Sequence, residues 1–347
     1  MAVEAGYPAA PLHHLALFYH GSDEYSDIVA KFVRAGLEVG ERAFVALPGH
    51  RLAAVLGALG GQREYVAFAN MTSLGRNPAR IIPAIEAFAS AGSEPVRFVG
   101  EPIWPGRSAA EVRESTRHEA LINLAFAAAC AQILCPYDAA ALPDPVLVDA
   151  CRTHPLIAGA NSHQASPGYE GPGSVPESCA LPLPPPPPRT KVVRYDSDLR
   201  RVRQFVADGA RDASLPASTA ADLVLAVNEI AANTVRHGGG TGTVSAWLTA
   251  GELICELRDA GHITDPLAGR RVPDPEQAGG HGLWLVNRSV DLAEVRTGPG
   301  GTVTRLHVRN RGSQPPAAGS RRHELGHPGD DGRGVDAGGV QLLGGRR

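Results

Sequence analysis

Five consecutive prolines, Pro184–Pro188, close a Gly/Pro/Ser-rich stretch over residues 158–188 that carries neither a helical nor a strand period. Such a run cannot continue a helix or a central strand, so it separates two regions that must each bury a core of their own. A chain of 347 residues fits two domains at about 100–200 residues each. The prolines favour a stiff polyproline II spacer of about 3.1 Å per residue over a slack coil. A docking site for an SH3-like partner is the sharper alternative for the same residues.

Before the break, short apolar runs alternate with helical periods. Residues 15–19, 44–47, 65–69, 96–100 and 132–138 read as strands, and 23–39, 51–59, 78–91 and 109–129 as helices, with Ser22 as an N-cap. Strands that alternate with helices predict a mostly parallel sheet covered by helices, because parallel neighbours need crossover connections.

After the break the order changes. A strand at 192–195 precedes two helices, 197–213 and 216–236, then the paired runs 244–249 and 253–259, a Gly/Pro-rich loop, a short helix at 282–290 and a last pair, LAEVRT and TVTRLHV. Turns at Ala250-Gly251 and Gly298–Gly301 predict two antiparallel hairpins and an α+β domain. Residues 311–347 hold too little apolar content to fold and read as a disordered tail.

With 33 Lys+Arg against 36 Asp+Glu the net charge is -3, so no overall positive field draws the chain to nucleic acid. Cys130, Cys135, Cys151, Cys179 and Cys255 are odd in number and form no C-x-x-C pair, as expected of reduced thiols in a cytoplasmic protein. Neither a leader peptide nor a membrane span is evident in the sequence.

The chemistry concentrates in LVLAVNEIAANTVRHGGG. Glu229, Asn233 and His237 stand at i, i+4 and i+8, along a helical face different from the apolar stripe of Leu223, Val227, Ile230 and Ala231. Alone, that polar line also suits a solvated face ending at the Gly238–Gly240 run, with His237 and Arg236 as last-turn cations. Asp259-Ala260-Gly261 follows at a strand end, where a carboxylate can reach into a pocket, although D-x-G is also an ordinary turn signal. Gly279-Gly280-His281-Gly282 then opens a helix, an arrangement whose backbone N–H groups can cradle phosphate.

In this order, within helix, hairpin, loop and helix, the three segments resemble the GHKL (Bergerat-fold) ATP-binding domain over about 189–310, and within it the anti-sigma-factor serine/threonine kinases of the RsbW and SpoIIAB type. The resemblance implies an α+β two-layer sandwich. It matches Glu229 and Asn233 to the N box, Asp259 and Gly261 to the adenine-binding box, and Gly280 and Gly282 to the ATP lid. Asn233 would then be a hard oxygen ligand to Mg²⁺, Glu229 the general base, and Asp259 the acceptor from adenine. His237 would meet phosphate or a partner, while His281 takes no assigned role. The short loop with Pro266, Pro273 and Pro275, and the lack of a preceding phospho-accepting helix, set the domain apart from sensor histidine kinases and from larger GHKL ATPases.

The first region has no G-x-x-x-x-G-K-[ST] run; its first strand ends in His20-Gly21-Ser22-Asp23. LHHLALFYHGSDEYSDIVAKFVRAGLEVGERAFVAL, RFVGEPIW and ILCPYDAAALPDPVLVDACRTHP resemble the MEDS sensory domain over about 12–157, which implies a RecA-like α/β fold serving as a sensor of an unidentified small molecule. Candidate sensing residues are His14, Glu101, Trp104, Cys135, Tyr137 and Asp138, because strand C-terminal ends line the usual crevice of such sheets. Packing alone also accounts for Cys135 and Trp104, and no ligand spacing links His13, His14 and Cys135 into a metal site.

Together the resemblances imply a cytoplasmic sensor joined to an Mg²⁺- and ATP-dependent kinase. Its expected substrate is a Ser or Thr of a STAS-type anti-sigma factor antagonist, and its expected output is the availability of a sigma factor. The expected partners include neither nucleic acid nor membrane, and a homodimer fits the family. The alternatives are a non-catalytic ATP- and partner-binding module and a GHKL-type ATP hydrolase.

Overall fold

The computed structural model describes residues 12–159, 162–249, 251–274 and 280–310, the side chains of Ser22 and Asp23 excepted. The expected tail 311–347, Pro275, Gly279 and Ala250 lie outside them. The described residues divide into two compact units: one holds those up to Leu183 together with those of Thr264–Trp284, the other those of Pro184–Ile263 and from Leu285 to Asn310.

In the first unit, β1 (His13–Tyr19), β2 (Arg42–Leu47), β3 (Val66–Asn70), β4 (Val96–Gly100) and β5 (Ala131–Asp138) pair in parallel, in the order β3-β2-β4-β5-β1. The crossovers run through α1 (Ser22–Glu38), α2 (Gly49–Leu59), α3 (Met71–Leu74), α4 (Ile81–Ser90) and α5 (Ala109–Ala125). Such strands are buried on both faces, and β1 shows it. Leu15, Leu17 and Tyr19 join Val29, Val33 and Leu134 in one core, while Ala16 joins Ile133, Cys135, Tyr137 and Leu121 in the other. Pro136 lies inside β5, beyond the last residue paired with β4, Leu134, so its missing N–H removes no bond from that ladder.

The helix ends differ from the sequence reading for local reasons. Gly21, not Ser22, occupies the N-cap of α1, at φ 116°. Asn77 caps a 3-10 turn at Pro78–Arg80, so α4 starts only at Ile81. A capping box of Ser108 and Glu111 opens α5, which stops at Ala125 before the turn into β5. The stretch read as a linker contains ordered elements. After α6 (Asp144–Thr153), β6 (Leu156–Ala158) extends the sheet parallel to β1, and β7 (His163–Ala165) pairs antiparallel with β6. α7 (Glu177–Ala180) then buries Cys179. All five cysteines are free thiols. No helix among the described residues is long and apolar enough to cross a membrane.

The second unit holds an antiparallel sheet in the order β11-β12-β10-β9-β8, formed by β8 (Lys191–Tyr195), β9 (Gly242–Thr249), β10 (Glu252–Asp259), β11 (Leu292–Gly298) and β12 (Gly301–Arg309). Both expected hairpins are present. α8 (Arg200–Asp212) starts later than its periodicity suggests, because Asp196 and Asp198 accept from the backbone N–H groups of Asp198 and Arg200 and hold a turn there. α9 (Ala217–His237) buries Leu223, Val227, Ile230 and Ala231, the stripe expected from the sequence. α10 (His281–Ser289) leads into the last hairpin.

Alternate residues of this sheet carry charges in place of apolar side chains. Glu256 is buried and paired with Arg258 at 2.8 Å and with Arg305 at 2.9 Å. His307 lies between Glu294 (Nε2–O 3.1 Å) and Glu252 (Nδ1–O 3.3 Å), clamping β12 to both neighbours. Burial alone would lower its pKa, but the hydrogen bonds to Glu252 and Glu294 outweigh it and the net shift is upward. The charged His307 therefore stabilises the fold below its ordinary pKa, and that contribution fades as pH rises through the raised value. An NMR titration should place the His307 midpoint above the ordinary histidine value of 6.5. A midpoint at or below that value refutes the clamp.

Candidate nucleotide site and sensory clusters

Asp259 ends β10 directly beside the C-terminal turn of α9. Its Oδ1 accepts from the Gly261 N–H at 2.7 Å and its Oδ2 from the Thr234 hydroxyl at 2.8 Å. Thr234 in turn accepts from the Tyr195 hydroxyl at 3.0 Å, so β8, α9 and β10 meet on one chain of hydrogen bonds. The approach needs glycine. A Cβ on Gly238 would lie 2.7 Å from Asp259 Cγ, one on Gly261 2.9 Å from Oδ1, and Gly301, at φ 101°, packs against the Asp259 carbonyl. The Ala260 N–H donates to the Gly238 carbonyl at 3.2 Å, and the Thr302 hydroxyl to that of Gly261 at 2.8 Å.

Glu229 and Asn233 stand on α9 in the two turns leading to this carboxylate, both half-buried, and His237 is exposed at the helix end. Among the described residues neither Glu229 nor Asn233 has a side-chain hydrogen-bond partner. A half-buried amide oxygen and a carboxylate left open one turn apart suit a hard divalent cation and an acceptor of a proton. Gly280, at φ 82°, precedes α10, and Gly282 lies in its first turn. An open depression of about 820 Å³ in the same unit is lined by Arg194, Asp198, Arg201, Arg258 and Asp259 among others. Its lining includes neither Glu229 nor Asn233.

The six sensory candidates fall into three places. Glu101 follows β4 and Asp138 ends β5, and Arg51 of α2 bridges them at 2.8 and 3.0 Å. Tyr25 donates to Glu101 at 3.0 Å and Tyr19 at 3.4 Å, while the Arg51 guanidinium lies 4.9 and 5.1 Å from the two ring centres. Burial pushes the Glu101 carboxyl up to about 8, against the pull of Arg51 and the Tyr25 hydroxyl. Trp104 is elsewhere, half-buried under the Arg107 guanidinium at 4.4 Å. His14 is the second residue of β1, at the end opposite the expected crevice, and Cys135 lies within β5. These two meet Glu119 and His154, with Tyr137 edge-on to His154 at 5.6 Å; His13 instead faces His163.

Two family models match the chain. Residues 13–155 match the methanogen/methylotroph, DcmR sensory domain (MEDS), and residues 194–308 match the histidine kinase-like ATPase domain. The protein joins a MEDS domain to a histidine kinase-like ATPase domain. No curated protein matches it. The crystal structure of the RsbU and RsbW domains of a Mycobacterium tuberculosis protein is similar at 24% identity and a TM-score of 0.26, over 35% of this chain and 32% of that one. The chain thus spans about a third of that structure.

Thr234 of the ATPase domain and Glu119, His154 and Arg51 of the MEDS domain escaped the sequence reading. Thr234 follows Asn233 directly, and a hydroxyl next to that candidate ligand was the available signal. Thr234→Val should leave Asp259 and Tyr195 each short of a partner and cost about 1–3 kcal/mol in denaturant unfolding, whereas Thr234→Ser should stay near the parent. Equal stability of all three proteins would remove Thr234 from the network.

Proposed function

We propose that the ATPase domain is a Bergerat-fold kinase that phosphorylates a Ser or Thr of a STAS-type anti-sigma factor antagonist, and thereby governs how much sigma factor is free. The observation that carries this reading is the Asp259 carboxylate, held among glycines at the end of the helix that bears Glu229 and Asn233. ATP is the phosphoryl donor, and Mg²⁺ held at Asn233 would neutralise phosphate charge. Asp259 accepts from the adenine amino group, and its bonds to Gly261 and Thr234 fix its orientation. Asn233 presents its amide oxygen to the cation, and Gly280 and Gly282 leave backbone N–H groups open to phosphate. His237, exposed at the helix end, meets phosphate or the partner protein.

Glu229 takes the proton of the acceptor hydroxyl as the new O–P bond forms and the bond to the β-phosphate oxygen breaks, releasing ADP. The MEDS domain, RecA-like in this reading, binds a small molecule and biases the output by favouring one of two states. The protein acts in the cytoplasm as a homodimer.

Calorimetric titration of the full chain with Mg·ATP tests the site. Wild type and Glu229→Gln should bind, while Asn233→Ala and Asp259→Asn should lose measurable affinity. Glu229→Gln should slow phosphorylation of the antagonist by about 10²- to 10⁴-fold. Failure of the wild type to bind sinks the kinase reading, and undiminished transfer by Glu229→Gln removes the base.

A further inference from the structure

The His14 cluster has an electrostatic problem that its own protein atoms do not solve. His14 (β1), Glu119 (α5), Cys135 (β5) and His154 (after α6) are all buried, and one ligand-type atom from each lies within 4.8 Å of the others. The separations are 3.1 Å from His14 Nε2 to Glu119 Oε2, 3.3 Å from Cys135 Sγ to the same oxygen, 3.4 Å from Sγ to His14 Nε2, and 3.4 Å from His154 Nε2 to Glu119 Oε2. Bond lengths of about 2.0–2.3 Å to a tetrahedral Zn²⁺ put its ligands roughly 3.3–3.8 Å apart, close to this spacing.

The outer contacts decide which atoms face inward. His154 Nδ1 lies 2.8 Å from the Ala150 carbonyl, which only accepts, so Nδ1 carries the proton and the neutral ring turns the Nε2 lone pair to the cluster. His14 Nδ1 lies 3.1 Å from Asn123 Oδ1. That amide cannot be flipped, because its Nδ2 donates to the Thr153 carbonyl at 2.7 Å and lies 3.4 Å from those of Glu119 and Ala120. His14 therefore also presents an Nε2 lone pair.

Two imidazole lone pairs and a carboxylate oxygen thus converge with only the Cys135 thiol proton among them. His154 Nε2 and Glu119 Oε1 have no hydrogen-bond partner although both are buried. Orphaned buried acceptors of this kind are costly, and a cation at their centre removes the cost. The outer acceptors, Asn123 and the Ala150 carbonyl, orient the rings as they do for metal-bound histidines.

We propose that His14, Glu119, Cys135 and His154 form a closed, four-ligand site for a divalent transition metal of the Zn²⁺ type, which ties β1, β5, α5 and the end of α6 together in the MEDS domain. A thiolate, two neutral imidazoles and a carboxylate make a mixed soft and borderline ligand set that favours such ions over Mg²⁺ or Ca²⁺. On binding, the Cys135 S–H bond breaks, its proton passes to solvent and the metal–sulfur bond forms. Carboxylate and thiolate then balance the 2+ charge with no change of oxidation state. All four donors come from the protein, so the metal is structural and stabilises the folded domain.

The test is metal analysis of the full chain purified without chelator, followed by reconstitution of the chelator-stripped protein with Co²⁺. One equivalent of metal per chain is expected. The Co²⁺ form should show visible bands of tetrahedral coordination and a sulfur-to-metal charge-transfer band, and Zn²⁺ should raise the melting temperature of the stripped protein. Cys135→Ser should abolish the charge-transfer band, Cys151→Ser should leave it intact, and Asn123→Ala should weaken binding about 10- to 100-fold. A wild type that takes up no metal, or a site whose spectrum survives Cys135→Ser, overturns the proposal. Should Cys135→Ser fail to fold, the wild-type spectrum decides: without a thiolate band the assignment falls.

Discussion

The parallel pairing of β1 with β5 is the interaction on which the first unit's chemistry rests. Its register sets Ala16 beside Cys135 and Tyr19 beside Asp138, and it fixes which side chains share a face. Near one end of the pair, Arg51 draws Glu101 and Asp138 together; on one face nearer the other end, His14 and Cys135 converge with Glu119 and His154. A shift of one residue would send His14 and Cys135 to opposite faces and dissolve that group. In the second unit the β9–β10 register plays the same part, since Gly242 opposite Asp259 leaves room for the Tyr195 hydroxyl that bonds Thr234.

Much of this was legible in the sequence, because periodicity survives wherever an element has one apolar stripe. α9 and the two hairpins of the ATPase domain are of that kind, and they carry Glu229, Asn233 and Asp259. The elements that escaped lack such a stripe. β6 and β7 are three residues each within a Gly- and Pro-bearing stretch, and their pairing depends on β1 already being in place. α5 itself was read as a helix, but it buries Glu111, Glu114, His118 and Glu119, residues that a pattern rule assigns to solvent.

The sensory candidates show a second limit. Glu101 and Asp138 do sit where parallel strands finish, the position from which they were chosen. Reasoning from strand ends grouped His14 with them because a sequence reveals a residue's strand more readily than its height along that strand. Arg51 was invisible for the converse reason: it belongs to the first turn of a helix, and only the crossover brings it over the sheet edge.

The glycine cradle around Asp259 also bears on how this sequence is free to vary. Gly238, Gly261 and Gly301 come from three separate segments, yet a methyl group added at any of them presses on the same residue. Substitutions there would report on one another far more than their distance along the chain suggests, and their effects would not sum. In mutational terms α9, the β10 turn and the last hairpin share a single position, and drift in one of them is possible only with compensation in the others.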